Sequence, residues 1–322
     1  MQTRIKVLLA LLILPAPVAE ILCTNIPAYN FLLPQAWIIS LLVYGCGALL
    51  IREAKIRWGM QWSVAFLAVA YGIFEEGLVT QAFFNPYWFD TPSYWMAFGV
   101  QWGMTLMLLV FHASISTLIP IYIIHELWPD FKDKPVTGNR GTALALLGTL
   151  AAICIGMNSF AGPKGQGAFF ASSGLLIAGF AAIAILAILA YRLRTSRIRV
   201  GRGLLPPIAI AAIAFILQGT NFILSPMLSH FGFKVEAGVP IQLFFILIFA
   251  AFSATQLLNK STERRHVTAY AFGSLLFWIV FGFMIGLNAA AGRIDLVAVM
   301  PVALLLLVAW MRRASKIKGK FT

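Results

Sequence analysis

The stretch Tyr71–Pro86, YGIFEEGLVTQAFFNP, places two adjacent carboxylates, Glu75 and Glu76, in a run that holds no other charge from Trp62 to Phe84. About 20 apolar residues span a bilayer, and one charged side chain near its centre costs roughly 3 kcal/mol on insertion scales. Burial favours the neutral carboxyl group unless a neighbour compensates for the charge. The pair is therefore a candidate functional site whose partners must come from neighbouring helices.

The composition predicts the class of protein. With 61% hydrophobic and 11% charged residues, we expect an all-α polytopic membrane protein, as a single integral membrane domain over residues 1–322. The net charge of +13 does not indicate a nucleic-acid partner, because the basic residues cluster in short loops between apolar segments. The predicted partner is the lipid bilayer. Three cysteines without metal-ligand spacing indicate neither a disulfide framework nor a zinc site, and no cofactor is predicted.

The apolar pattern predicts about ten transmembrane helices. We interpret the N-terminal apolar segment as the first of them rather than as a cleaved signal peptide. The fourth is long and is predicted to bend at Pro120, whose ring and missing N–H disrupt the helix. The predicted spans are roughly 5–23, 35–51, 61–84, 96–127, 141–159, 167–192, 205–224, 238–259, 268–290 and 295–311.

The basic residues then alternate between the two sides of the membrane. Of the 24 lysines and arginines, 21 fall on one side and only Lys164, Lys234 and Arg293 on the other. Loops on the cytoplasmic side carry such an excess of positive charge. The pattern predicts cytoplasmic N- and C-termini in a multi-pass protein of the plasma or inner membrane.

One face of the fourth span is the best predicted partner of the carboxylates. Gln101, Thr105, His112 and Ser116 follow one another at spacings of four, seven and four residues, which places them on one side of a helix. Consecutive spans joined by a short loop are expected to be neighbours. By residue count, however, His112 lies one to two turns deeper than Glu75.

Other polar residues occur at a similar depth. Gln218 and Asn221 in the seventh span and Glu20 in the first reach nearly the level of Glu75. Amides at this depth often hold helices together, and that role explains Gln218. Near the pair itself, Tyr71 precedes Glu75 by four residues and Thr80 follows Glu76 by four. Because adjacent helix positions differ by about 100°, Glu75 and Glu76 are not expected to share a face.

A glutamate beside a histidine away from bulk water has defined chemistry. One glutamate could deprotonate a water while His112 and an amide such as Asn221 stabilise the oxyanion. The same groups could instead carry protons through a transporter. Two glutamates and one histidine could bind zinc, but HExxH spacing is absent, and we predict a site without metal.

The glutamate pair followed by a histidine on the next span resembles the CAAX-protease and bacteriocin-processing superfamily of glutamate intramembrane proteases, near which PrsW-like proteins and the APH subunits of gamma-secretase are grouped. The resemblance covers roughly residues 62–128. The EExxxR motif of that superfamily reads EEGLVT here, with Thr80 in place of the arginine. In its FxxxH motif Leu108 stands at the phenylalanine position, while the phenylalanine here is Phe111, next to His112, and of HxxxN only Asn221 remains.

The resemblance implies that Glu75 is the catalytic base, that Glu76 positions or tunes it, and that His112 is the acid or oxyanion partner. The first hypothesis is accordingly a hydrolase that acts on a peptide or lipidated peptide within the membrane. The second is a ten-helix proton-coupled transporter of a small molecule. The third is a non-catalytic scaffold or immunity-type protein, in which both carboxylates would be fully hydrogen-bonded in a dry packing.

Overall fold

The computed structural model describes residues 2–88, 94–159, 169–201, 203–288 and 292–315. Within them, nine helices are long and apolar enough to cross a membrane. The structure thus confirms the prediction of an all-α polytopic membrane protein. These nine are α1 (Gln2–Leu22), α2 (Pro34–Arg57), α4 (Trp102–Leu127), α5 (Asn139–Ser159), α6 (Ser173–Arg192), α7 (Pro207–His230), α8 (Val235–Leu257), α9 (Arg264–Leu287) and α10 (Asp295–Ser315). Short 3₁₀ turns occur at Ala28–Leu32 and Pro129–Phe131.

Helix α3 lies at the third predicted span but is shorter than predicted. It runs over Val64–Ile73 and continues in wider π-helical turns over Phe74–Val79. At a rise of about 1.5 Å per residue, it falls short of the ~30 Å hydrocarbon core. It ends because Gln81 adopts a left-handed conformation with φ of 59°, which turns the chain back on itself. The predicted span reached residue 84 because the prediction relied on apolar composition alone.

Helix α4 begins later than the sequence pattern suggests. The predicted start at residue 96 is instead a hairpin of β1 (Met96–Ala97) and β2 (Val100–Gln101), paired antiparallel. Phe98 and Gly99 turn the hairpin with positive φ angles of 54° and 74°. Pro120 does not end α4, because it lies in the first turn of the α-helical segment Ile119–Leu127, which follows the π-helical segment His112–Leu118.

Three other helices run past their predicted C-terminal ends, and the last of them, α10, continues to Ser315. Helix α7 continues to His230, through Pro226. Helix α2 continues through charged residues to Arg57 because two of them, Arg52 and Glu53, are completely buried and paired with each other.

The described contacts divide the chain into two compact units, each drawn from several segments. Unit 1 comprises Met1–Pro15, Ile39–Arg197 and Asn221–Ile246, and unit 2 comprises Ala16–Ile38, Ile198–Thr220 and Leu247–Thr322. Neither unit is a continuous stretch of sequence. A single membrane domain over residues 1–322 stays a prediction.

Close helix contacts at small residues shape unit 1. A Cβ atom on Gly72 in α3 would lie 3.3 Å from Cβ of His112 in α4, so glycine lets these two helices approach closely. After α3 reverses, Phe83 and Phe84 pack with Ala171 against Ile73 and other apolar side chains of both helices. The glutamate pair is therefore enclosed by α4 on one side and by its own returning chain at the end of α3.

Unit 2 has its own polar clasp. Arg293 forms an ion pair with Asp295 at 3.0 Å, at the start of α10. The same guanidinium donates hydrogen bonds to the carbonyl groups of Thr24 and Ile26, and Asp295 accepts the backbone N–H of Ala28 at 2.8 Å. The clasp joins the start of α10 to the segment that follows α1.

Candidate functional site

Both carboxylates lie in the π-helical turns of α3. Two neighbouring helices of unit 1 also contain such turns, Leu41–Gly45 in α2 and His112–Leu118 in α4. Turns of this kind are rare and occur often at functional sites. They leave backbone carbonyl groups for side chains, and Thr117 donates to the carbonyl groups of both His112 and Ala113 at 2.9 Å.

His112 bridges the two glutamates. Its Nδ1 lies 2.9 Å from Oε2 of Glu75, and its Nε2 forms a hydrogen bond of 3.0 Å with Oε1 of Glu76. We call these three residues the Glu–His–Glu triad. Both glutamates contact one imidazole although they are adjacent in sequence, because their side chains are long and the π-helical turns place neighbouring residues differently from an α-helix.

The two contacts of the imidazole are not equivalent. Oε2 of Glu75 is within ion-pair distance of Nδ1 but has no hydrogen bond of acceptable direction. Nδ1 also lies 3.1 Å from the hydroxyl oxygen of Ser116, one turn further along α4. We therefore describe Glu75 as a nearby counter-charge and Glu76 as the hydrogen-bonded partner of His112.

Neighbouring side chains hold the triad in place. The Thr80 hydroxyl donates to Oε2 of Glu76 at 2.8 Å, so Glu76 is held at both oxygens. The Tyr71 hydroxyl donates to the carbonyl group of Val43 at 3.3 Å, which ties α3 to the π-helical turns of α2. The rings of Tyr71 and Phe111 lie edge-on to the imidazole, with centroids 6.1 and 4.9 Å away.

Access to the triad differs between the two acids. The side chain of Glu75 is 4% exposed and that of His112 is 2% exposed, while 13% of the Glu76 side chain remains exposed. Glu76 is therefore the most exposed member of the triad.

The triad is also the cluster with the best geometry for a cation among the described residues. One ligand atom from each member lies within 4.8 Å of the others. However, both ring nitrogens already face a carboxylate, and a metal would have to displace one of these contacts. An imidazole with an acceptor at each nitrogen fits a bound proton better than a bound metal.

Other predicted site residues lie elsewhere in the fold. Asn221 is buried and donates to the carbonyl group of Met107 at 3.1 Å, five residues before His112. Gln101 is buried and donates to the carbonyl group of Asn85, and Thr105 is buried on the face of α4 that carries His112. Gln218 is buried in unit 2. The triad thus forms from Glu75, Glu76 and His112, with Thr80 and Tyr71 beside it.

A second buried charged cluster was not predicted. Arg52 donates to Oε1 of Glu53 at 2.9 Å and to Nε2 of His125 at 3.2 Å. It also donates to the carbonyl groups of Phe131 and Lys134. These contacts fasten the loop after α4 to the end of α2. The adjacent opposite charges of Arg52 and Glu53 at the end of an apolar span were the available sequence signal.

A very small cavity of about 10 Å³, barely enough for one water molecule, lies beside the end of α3, and it does not contain the triad. All of its lining side chains are apolar, so it is not the polar cavity that a hydrolase would be expected to have. The lining residues are Ile39, Leu42, Val43, Val79, Ala152, Ile155 and Gly156.

The fold and its composition define a polytopic α-helical membrane protein with a buried Glu–His–Glu triad in one unit. The chain belongs to an uncharacterized membrane protein family, whose model matches residues 7–314. A protein of Archaeoglobus fulgidus, described as an uncharacterized protein, is 29% identical over 156 residues. The match covers 45% of this chain and 47% of that protein, so the chain spans about half the length of this curated relative. No solved structure matches.

Proposed function

We propose that the protein is an intramembrane hydrolase of the glutamate type, which cleaves a peptide or lipidated peptide within the bilayer. The observation that carries the proposal is the contact of both ring nitrogens of His112 with carboxylate oxygens, at 2.9 Å for Glu75 and 3.0 Å for Glu76. Amide hydrolysis needs a base for the water and an acid for the leaving nitrogen, and hydrogen-bonded glutamate and histidine side chains supply both.

Glu76 is assigned as the base. It has the more exposed side chain of the two acids, and the Thr80 hydroxyl orients its second oxygen. Glu75 lies deeper and faces Nδ1 of His112, where its charge stabilises the imidazolium. The resemblance to glutamate intramembrane proteases implied the reverse assignment, with Glu75 as the base.

The reaction then follows from these positions. Glu76 takes a proton from water as the water oxygen bonds to the carbonyl carbon of the substrate. Once Glu76 is protonated, Nε2–H of the protonated His112 leaves its hydrogen bond with Glu76 and donates to the oxyanion that forms. The C–N bond breaks as the leaving nitrogen receives the imidazolium proton, and His112 recovers a proton from Glu76. The products are an acid and an amine.

Substitution of single triad members tests this function. We expect Glu76→Gln and His112→Gln to lower cleavage by at least about 100-fold, and Glu75→Gln to have a smaller effect because it removes only the counter-charge. Accumulation of uncleaved membrane peptides in expressing cells, measured by quantitative mass spectrometry, gives the readout. Glu236→Gln is the matched control because Glu236 is exposed at the start of α8. An unchanged peptide pattern in folded Glu76→Gln protein would contradict the proposal.

The transporter alternative rests on the same triad, because an imidazole between two carboxylates can also take up and release a proton. Proteoliposomes with an internal pH-sensitive dye separate the two functions. Proton uptake that Glu76→Gln abolishes, without any change in membrane peptides, would establish transport. The scaffold alternative required fully hydrogen-bonded carboxylates, whereas Oε2 of Glu75 has an ion-pair contact with His112 but no well-directed hydrogen bond.

We also propose that both termini face the cytoplasm and that the protein resides in the plasma or inner membrane. The asymmetric distribution of lysine and arginine between loops supports this orientation.

A further inference from the structure

Unit 1 contains three further buried polar residues, which we call the polar cluster: Gln81 and Gln101, both hydrogen-bonded within the turn that ends α3, and Thr105, four residues after Gln101. All three residues are more than nine-tenths buried. Each has a polar atom without a hydrogen-bond partner: Nε2 of Gln81, Oε1 of Gln101 and Oγ1 of Thr105. The cluster thus offers an open donor, an open acceptor and a hydroxyl that can serve as either.

In each of the two side-chain amides of this cluster, one polar atom is hydrogen-bonded and the other is open. Oε1 of Gln81 accepts the backbone N–H of Ala171 at 2.7 Å, which leaves Nε2 open. Nε2 of Gln101 donates to the carbonyl group of Asn85, which leaves Oε1 open. The open donor and acceptor are therefore oriented in advance, and a ligand that matched them would lose little conformational freedom of the protein.

The chain connects this cluster directly to the triad. Gln81 follows Thr80, whose hydroxyl holds Glu76. The backbone N–H of Gln101 donates to the carbonyl group of Phe83 at 2.8 Å, and the N–H of Asn85 donates to that of Gln81 at 3.0 Å. Both amides are thus fixed to the turn that ends α3.

The separation of the polar cluster from the triad can be measured along α4. Thr105 precedes His112 by seven residues, which places both on the same helix face about 10 Å apart. An extended peptide rises about 3.3 Å per residue. A peptide that contacted Thr105 and reached the triad would have about three residues between the two points.

We propose that Gln81, Gln101 and Thr105 bind the main chain of a peptide substrate, about three residues from the bond that the triad hydrolyses. A peptide unit has one N–H donor and one carbonyl acceptor, which match Oε1 of Gln101 and Nε2 of Gln81. A hydrocarbon chain offers neither. The inference rests on the proposed hydrolase function and names the substrate class of that site.

A peptide substrate in the bilayer needs the hydrogen-bond partners that such a cluster offers. A transmembrane helix satisfies its backbone groups internally, and unwinding a segment for cleavage leaves those groups without partners in a medium that has no water. The open amides of the cluster would replace the hydrogen bonds that the substrate loses. The substrate segment is therefore extended where it crosses the cluster.

Replacement of single backbone amides by esters tests the contact. Glu76→Gln protein in lipid nanodiscs is titrated with a fluorescent, capped leucine–alanine peptide and with analogues in which one amide N–H is replaced by an ester oxygen. We expect one ester position to weaken binding roughly two- to tenfold. Gln101→Leu should weaken binding of the parent peptide by a similar factor and abolish the difference between amide and ester. Gln35→Leu, at an exposed position, is the control.

Three results would overturn the inference: no binding of the peptide, equal binding of all the esters, or a loss of thermal stability in Gln101→Leu with unchanged peptide affinity. The last result would assign the cluster a structural role. Failure of the hydrolase function is distinguishable. Wild-type protein that binds the peptide with the expected ester effect but leaves it uncleaved would retain the peptide site and reject hydrolysis.

Discussion

Glu75 and Glu76 share one imidazole but differ in their surroundings. Glu76 keeps some exposure and accepts hydrogen bonds at both oxygens, from His112 and Thr80. Glu75 is more deeply buried and has an open oxygen beside Nδ1. With His112 protonated, the triad carries one net negative charge, which is less costly in a membrane than two adjacent carboxylates alone.

Thr80 tests how much the orientation of Glu76 matters. Thr80→Val keeps the shape of the side chain but removes the hydroxyl that donates to Oε2 of Glu76. We expect kcat for peptide cleavage to fall roughly tenfold, since a modest misplacement of a catalytic group is costly. The free energy of unfolding should change by about 1 kcal/mol or less. Initial rates at varied peptide concentration separate kcat from KM.

Thr80→Ser is the matched variant, because it restores the hydroxyl without the methyl group. Activity near that of the wild type supports the positioning role. If the serine and valine variants lose activity equally, packing of the methyl group is the cause and the hydrogen bond to Glu76 has no catalytic role.

At the site, sequence spacing predicted the partners but not their roles. The four-seven-four spacing placed His112 opposite the glutamates, and the structure brings them together. It could not show which glutamate keeps the more exposed side chain, since that depends on the returning chain after Gln81. Asn221 looked suitable as an oxyanion donor by residue type, but its amide nitrogen donates to the carbonyl group of Met107.

At the scale of helices, apolar composition located the spans, while backbone geometry set their ends. The left-handed residue Gln81 ends the turn after α3, and the hairpin before Trp102 delays the start of α4. Hydrophobic periodicity carries no signal for either feature, because both depend on the backbone dihedral angles of single residues such as Gln81 and Phe98. The π-helical turns are invisible for the same reason, although side chains such as Thr117 satisfy the carbonyl groups that they free.

Gly156 in α5 tests the packing behind the triad. A Cβ atom there would lie 2.5 Å from the carbonyl oxygen of Val79, the residue that ends the π-helical turns of α3. We expect Gly156→Ala to destabilise the protein by about 1–3 kcal/mol through overpacking, and to lower cleavage because the turns that carry Glu76 must shift. Unfolding in mixed detergent micelles measures the stability.

Gly174→Ala is the control for this substitution. Gly174 lies in the first turn of α6, where the nearest neighbour of an added Cβ would be the Ser172 hydroxyl at 4.0 Å. There alanine should stabilise the helix by roughly 0.5–1 kcal/mol. Equal effects of the two substitutions would show that helix propensity, not the contact with Val79, controls the result.

For the whole molecule, unit 1 contains both the triad and the proposed peptide-binding cluster. The sequence did not reveal this division, because each unit combines segments that are far apart in the chain. Unit 1 contains the buried charge pair of Arg52 with Glu53, and unit 2 contains the partly buried clasp of Arg293 with Asp295. In the sequence, these basic residues indicated only the orientation of the chain in the membrane.

The orientation of the chain decides from which side a substrate reaches the site. With cytoplasmic termini, the start of α4, which directly follows Gln101, faces outward, so a peptide would enter from the outer leaflet. In a variant without the native Cys23, Cys46 and Cys154, we expect an impermeant maleimide to label Lys234→Cys in intact cells and to label Thr195→Cys only after permeabilisation. The reverse labelling would place the peptide-binding cluster toward the cytoplasm, and substrates would then have to approach from the inner leaflet.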